Sequence, residues 1–311
     1  MALLARKQTL IAKVESSYGT DSSPSAGSNA ILVKELSIEP LQVDEVERTL
    51  VRGYLGNYET LLADQKASIT FSIEMAGSGA AGTANQGLGV FLKSCGFSET
   101  VASGTSVTYA PVSASFSSCT IGCNVDGTNH QLTGCRGTFS INCSLNEVPT
   151  FDFEFTGKYN NPAAVTQSSL TYQNQSDPVL FKGGNTTAFA LMGNSAALES
   201  WTLDLNNEIV HRVLVGGTEE VMITARKPSG SATIEAPALG SFNYWTKATS
   251  EATGTNTFQH GQTAGNIVTV SAPYTDMGAP TYGDSDGIIT LEVPFTCTPS
   301  SGNDELSIVF K

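Results

Sequence analysis

At 311 residues, 40% of them apolar, the chain is long enough for two hydrophobic cores and has the apolar content to fill both. Its 16 basic against 29 acidic residues leave a net charge of −13, and no run of adjacent cations exceeds two residues, as at Arg6-Lys7. This excludes a protein that wraps nucleic acid tightly, because phosphate-binding surfaces need clustered Lys and Arg. Met1 to Val14 is interrupted by Arg6, Lys7, Gln8, Thr9 and Lys13 and does not read as a secretory signal, and no apolar run approaches a membrane span.

Residues 1–28 read as an arm outside either core, a short mixed stretch followed by Tyr18-Gly-Thr-Asp-Ser-Ser-Pro-Ser-Ala-Gly-Ser-Asn, which is turn and linker chemistry. Strands are predicted at 31–38, 46–52 and 67–75, the last two forming a long hairpin with its tip at 53–65. After the Gly-rich connector at 77–83, Leu88, Phe91 and Leu92 recur at helical spacing, which predicts a short helix over 86–95 stopped by Gly96. Strands resume at 107–109, 115–125, 131–145 and 149–159, with Asp126-Gly127 as a tight turn. The predicted organisation is an arm (1–28), a first β domain (29–162), a linker (163–188) and a second β domain (189–311). The fold class is mainly β, two tandem sandwich or barrel units, each with a long hairpin and a short flanking helix.

An internal repeat supports the tandem reading. Glu47-Arg-Thr-Leu-Val-Arg-Gly53 parallels His211-Arg-Val-Leu-Val-Gly-Gly217 at an offset of 164, and Ser72-Ile-Glu74 parallels Thr233-Ile-Glu235 at 161, so the second hairpin is three residues shorter at its tip. Phe242-Asn-Tyr-Trp-Thr-Lys247 supplies a candidate for the matching helix, and Phe151-Asp-Phe-Glu-Phe155 is aligned with Ile289-Thr-Leu-Glu-Val293 as the closing strand.

Catalytic and metal motifs are not evident. His130, His211 and His260 are far apart and beside polar or turn residues; no nucleophile elbow, phosphate loop or zinc-type His pair occurs. Tyr282-Gly-Asp-Ser-Asp-Gly287 lacks the acidic positions of a calcium loop and reads as a turn feeding a strand. Cys119 and Cys123 alternate in phase with Ile121, and Cys135 and Cys143 with Phe139 and Ile141, which is where core residues belong; a disulfide, and after it a metal site, are the alternative readings of these spacings. No enzyme and no cofactor is expected.

The recurrent signal is a two-faced strand. Ala67, Ile69, Phe71, Ile73 and Met75 oppose Lys66, Ser68, Thr70, Ser72 and Glu74, and Phe151, Phe153 and Phe155 oppose Thr150, Asp152, Glu154 and Thr156. The split recurs with Ile234 against Thr233 and Glu235, and with Leu291 and Val293 against Thr290 and Glu292. The polar face is made of short hydroxyls and carboxylates, with Lys66 and Lys158 only at its margins.

The chain resembles the tail tube proteins of siphophages. The likeness runs through Ala12-Lys-Val-Glu-Ser-Ser-Tyr-Gly-Thr-Asp21, Val46-Glu-Arg-Thr-Leu-Val-Arg52, Glu74-Met-Ala-Gly-Ser-Gly-Ala-Ala-Gly-Thr83, Phe91-Leu-Lys-Ser-Cys-Gly-Phe97, Arg226-Lys-Pro-Ser-Gly230 and Ser301-Gly-Asn-Asp-Glu-Leu306. It implies a structural virion protein whose tail-tube-type β units form rings stacked into a conduit for DNA, assembled in the host cytoplasm alongside a tape-measure protein and tail terminator and tip proteins. DNA is expected to pass without specific binding, and the chain to bind no membrane. The repeat makes a trimeric, pseudo-hexameric ring the expectation, with a hexamer as the alternative.

With about 24 strands spaced near 4.8 Å and tilted about 40°, such a ring measures roughly 48 Å across at the backbone, leaving a bore of order 38 Å. Glu74, Asp152, Glu154, Glu235 and Glu292, with Ser72 and Thr233, are the candidate lumen-facing residues. Gly53, Tyr54, Asn57, Tyr58 and Leu61 at the hairpin tip and Leu306, Ile308 and Phe310 at the C-terminus are the candidates for contacts between subunits or rings. The rival reading from composition alone is a β-sandwich adhesin, pilus or capsid-decorating protein.

Overall fold

The computed structural model describes residues 3–166, 169–250 and 252–311. The first two residues of the expected arm and residues 167–168 of the expected linker lie outside the described residues. In chain order the first half runs β1 (Gln8–Val14), β2 (Ala30–Ile31), β3 (Lys34–Val46), β4 (Leu61–Glu74), α1 (Gln86–Ser94), β5 (Phe97–Ala102), β6 (Ser106–Pro111), β7 (Cys119–Val125), β8 (Thr128–Ser144), β9 (Thr150–Lys158) and β10 (Ala163–Ala164). The second half runs β11 (Thr186–Leu191), β12 (Leu198–Asp204), β13 (Asn207–Arg212), β14 (Glu220–Arg226), β15 (Ser229–Glu235), α2 (Tyr244–Thr249), β16 (Gly254–His260), β17 (Val268–Met277), β18 (Thr281–Ser285), β19 (Ile288–Cys297) and β20 (Ser307–Phe310).

Two antiparallel layers enclose the core. One has the order β3-β4-β9-β8-β12-β15-β19-β18, eight strands hydrogen-bonded in succession. The other has the order β5-β6-β20-β17-β16-β11. The layers meet through aromatic contacts: Phe97 of β5 lies 5.7 Å from Phe139 of β8, and Phe258 of β16 lies 4.8 Å from Trp201 of β12, ring centre to ring centre. The N-terminal part of β8 leaves the first layer to pair with β7, which in turn carries β1. Period-2 alternation decides the arrangement, since the inner strands of the eight-stranded layer, from β4 to β19, turn apolar residues inward and mainly hydroxyls and carboxylates outward.

Both helices form where predicted, for local reasons. The Asn85 side chain accepts from the Gly87 and Leu88 amides at the start of α1 and donates to the Ala76 and Gly77 carbonyls, so it caps the helix and fastens it to the preceding loop. The helix stops at Cys95 before Gly96, which takes φ +88°. Phe91 then lands among Phe71, Phe153 and Phe155 at 4.6, 5.4 and 5.2 Å. Asn243 caps α2 in the same way through the Thr246 amide.

Four expectations are corrected. The arm is not outside the core: β1 pairs with β7 from Gln8↔Val125 to Val14↔Cys119, and Leu10 and Ala12 are buried. The first hairpin's strand ends at Val46 rather than continuing over 46–52, and its tip is 47–60, where the Arg52 guanidinium lies over the Tyr54 and Tyr58 rings and donates to the Asn57 carbonyl. The second hairpin is broken in two, β12 with β15 and β13 with β14, because Asn206 takes φ +51° and Pro228 has no amide to continue the ladder. The closing strands align two residues away from the sequence match. Ser72 faces Asp152 and its repeat mate Thr233 faces Glu292, so Phe151, Asp152 and Phe153 correspond to Leu291, Glu292 and Val293.

The hydrogen-bonded ladder runs continuously from one half of the chain into the other. β8 pairs with β12 over five rungs, and β20 lies between β6 and β17.

Candidate functional site

The outer face of the eight-stranded layer collects the carboxylates. Ser72, Asp152, Ser140, Asp204, Ser229 and Thr296 are successive partners across β4, β9, β8, β12, β15 and β19 and form one rung. A neighbouring rung runs Glu74, Thr150, Asn142, Thr202, Ser231, and a third runs Ser144, Ser200, Thr233, Glu292, Thr281. Glu154, Glu235, Glu292 and Asp204 are exposed, Glu74, Asp152 and Thr233 half-buried, and Ser72 buried. The Asn142 amide donates to Asp152 and fixes that carboxylate against the sheet. Among the described residues, cations on this face lie near the borders of these rungs: Lys34 on the edge strand, 4.0 Å from Glu74, Lys66 opposite Lys158 at the far end of β4, and Arg136 opposite Thr156 on β8, paired with Glu220.

All seven residues picked from sequence for this surface thus lie on one face of one sheet, although they come from both halves of the chain. Asp204 was missed. Its signal is the alternation Trp201-Thr-Leu-Asp204, in which Trp201 and Leu203 are buried and Thr202 and Asp204 turn outward.

The layer has two open edges, β3 and β18, which pair with β4 and β19 respectively and present their other sides unpartnered among the described residues. Beside β18 lies an apolar groove lined by Leu239, Trp245, Tyr282 and Ile289, with the Trp245 and Tyr282 rings 5.2 Å apart.

The candidates for contacts divide. At the first hairpin tip Gly53, Tyr54, Asn57 and Leu61 are exposed and Tyr58 is half-covered by Arg52. Leu50, Val51 and Leu55 there, and Val213, Leu214 and Val215 on the second tip, are also exposed, so both tips carry apolar side chains that sequence reasoning did not select. Leu306, Ile308 and Phe310, expected at an interface, are instead only 1%, 0% and 3% exposed. The pairing of β20 on both sides spends their strand within the chain.

All six cysteines are buried free thiols, and burial pushes Cys123 up to about 11. No helix among the described residues is long and apolar enough to cross a membrane.

A scan against protein families matched residues 5–297 to the family described as phage tail tube protein. The chain belongs to the phage tail tube protein family. A search of curated proteins found no match. Membership makes this tail tube protein a structural component of the virion tail, self-assembling into a tube, and the mainly β architecture agrees with that role.

Proposed function

We propose that three copies of this tail tube protein close into a ring whose bore is the carboxylate face of the eight-stranded layer, and that the rings stack into the DNA conduit of a siphophage tail. The observation that carries the reading is the acidic and hydroxylated rung running unbroken from β4 to β19 through both halves of the chain. Three such layers supply about 24 strands, and a barrel of that size, roughly 48 Å across at the backbone, admits a duplex without gripping it. A conduit has to contain DNA without binding it. Carboxylates at Glu74, Asp152, Glu154, Glu235 and Glu292 give phosphates no counterion-releasing contacts, and their repulsion reaches only about 8 Å at physiological salt, so the duplex is kept from the wall without a large barrier to entry. The two hairpin tips, Gly53 to Leu61 among them, serve stacking between rings. The tape-measure protein in the bore, terminator and tip proteins at the tube ends, and assembly in the host cytoplasm complete the reading.

The test is replacement of Glu74, Glu154, Glu235 and Glu292 by Lys. Tubes of normal appearance that eject DNA more slowly, most of all at low salt, are expected. Unchanged ejection at low ionic strength from intact tubes would place the bore elsewhere, and six chains per ring by mass would overturn the trimer.

A further inference from the structure

The chain contains, between its own halves, a junction that resembles one half of an interface. β8 ends the four strands of the first half of the layer and β12 opens the four of the second; they pair through Ser144↔Ser200, Cys143↔Trp201, Asn142↔Thr202, Ile141↔Leu203 and Ser140↔Asp204. The repeat gives each strand a counterpart at an open edge. Leu203 lies opposite Gly230 on β15, as Ile38 lies opposite Ile69 on β4, and Gly230 and Ile69 are related by the same offset of 161 that relates Thr233 to Ser72. Ile141 lies opposite Phe151 on β9, as Tyr282 lies opposite Leu291 on β19. β3 is therefore the repeat mate of β12, and β18 the repeat mate of the end of β8.

We infer that β3 of one copy pairs antiparallel with β18 of the next in the register of the internal junction: Ile38 opposite Tyr282, Ser37 opposite Gly283 and Glu39 opposite Thr281. The inference rests on the ring reading above and adds the partner strand, its direction and its register. Two further observations point to the same occupant. β18 is five residues long, Thr281–Ser285, and these are the mates of Ser140–Ser144, the five residues that β12 covers. At the internal junction Ile141 and Leu203 are both 0% exposed, whereas Tyr282, Leu239 and Ile289 at the open edge are 68%, 64% and 58% exposed. The apolar side of β3, where Leu36 and Ile38 are half-buried against their own core, faces the same layer and covers this groove once the ladder forms. Such head-to-tail pairing leaves one free β3 and one free β18 on every partial assembly until the ring closes.

The experiment uses the full chain carrying Glu39→Cys with Thr281→Cys, the six native thiols being buried. Mild oxidation of assembled tubes is expected to convert most chains to covalent trimers on denaturing gels. The control pair, Glu39→Cys with Ser285→Cys, is four residues out of register, beyond disulfide reach, and stays monomeric. Cross-linking of the control pair, or tubes visible by electron microscopy with no cross-link at the first pair, overturns the register while leaving the ring reading standing; absence of rings and tubes from the unmodified protein defeats the ring reading itself. Should the double variants not assemble, Tyr282→Glu decides. Tyr282 is largely exposed, so the chain keeps its wild-type melting curve, and the concentration needed for assembly rises at least tenfold; assembly at the wild-type concentration overturns the inference.

Discussion

The Tyr18 hydroxyl accepts a hydrogen bond from the Val221 amide at 2.5 Å, joining the N-terminal segment to the second hairpin across 203 residues of sequence. Two cations lie over the ring, the Arg136 guanidinium at 4.7 Å and the Lys158 ammonium at 5.1 Å, and Arg136 goes on to donate to the Val221 carbonyl and to Glu220. Burial pushes the phenol up to about 12, so it stays protonated in any working buffer. Tyr18→Phe keeps the stacked ring and leaves the Val221 amide unpaired. A loss of about 1–2 kcal/mol in chemical denaturation is expected, and no loss would mean that water replaces the hydroxyl there.

Glu15 is a stronger tie in the same segment. Its buried carboxylate accepts from the Gly19 and Gly134 amides, both at 2.7 Å, and from the Ser118 and Thr120 hydroxyls at 2.6 and 2.9 Å. Glu15→Ala strands four donors, and a loss of about 3 kcal/mol or more is expected by urea denaturation. Since β1 ends at Val14, directly before this anchor, protease cleavage before residue 20 should accelerate in the variant, and unchanged cleavage would count against the anchor.

Stability should fall on mild acidification because of His260. Its Nε2 donates to the Val179 carbonyl at 3.1 Å and its Nδ1 lies 3.0 Å from the Thr186 hydroxyl. Burial is the main cause that lowers its proton affinity in the fold. The unfolded chain then takes up the proton first, from about pH 6.5 downward, so unfolding becomes easier as pH drops through that point and continues until the folded imidazole itself titrates. His130, lowered by burial too, adds to the same slope. His260→Gln should flatten the dependence below about pH 6.5; an unaltered slope would assign it to other groups.

A net charge of −13 per chain opposes bringing copies together. Tube formation should therefore quicken several-fold between about 10 mM and 150 mM salt, where the screening length shrinks from about 30 Å to about 8 Å. Light scattering at constant protein concentration measures this, and assembly that slows with salt would mean that attractive charge pairs dominate the interface.

Much of the face was legible from sequence because it depends on parity. Glu74, Asp152, Glu154, Glu235 and Glu292 each follow or precede a buried apolar residue by one position, and that relation survives any pairing. Likewise α1 was readable from Leu88, Phe91 and Leu92, and it ended within a residue of the expected position. Long-range pairing was not readable. Leu10 meets Cys123 and Phe310 meets Val107, so segments that look short and unsupported are completed by strands remote in sequence, and the arm and C-terminus were misplaced for that reason. The two-residue misalignment of the closing strands has a similar origin, since Phe-Asp-Phe-Glu-Phe fits an alternating segment at any even shift, and only the partner strand fixes which.

The open edge at β3 has a further consequence before any tube exists. Three irregularities interrupt its register with β4, Glu35 sits at φ +52°, Pro40 withholds an amide, and Glu39, Asp44 and Glu45 lie along it. A regular strand recruits any other strand it touches, whereas a kinked and charged one accepts few partners. Free copies of the chain are therefore shielded from indiscriminate edge-to-edge pairing at this strand.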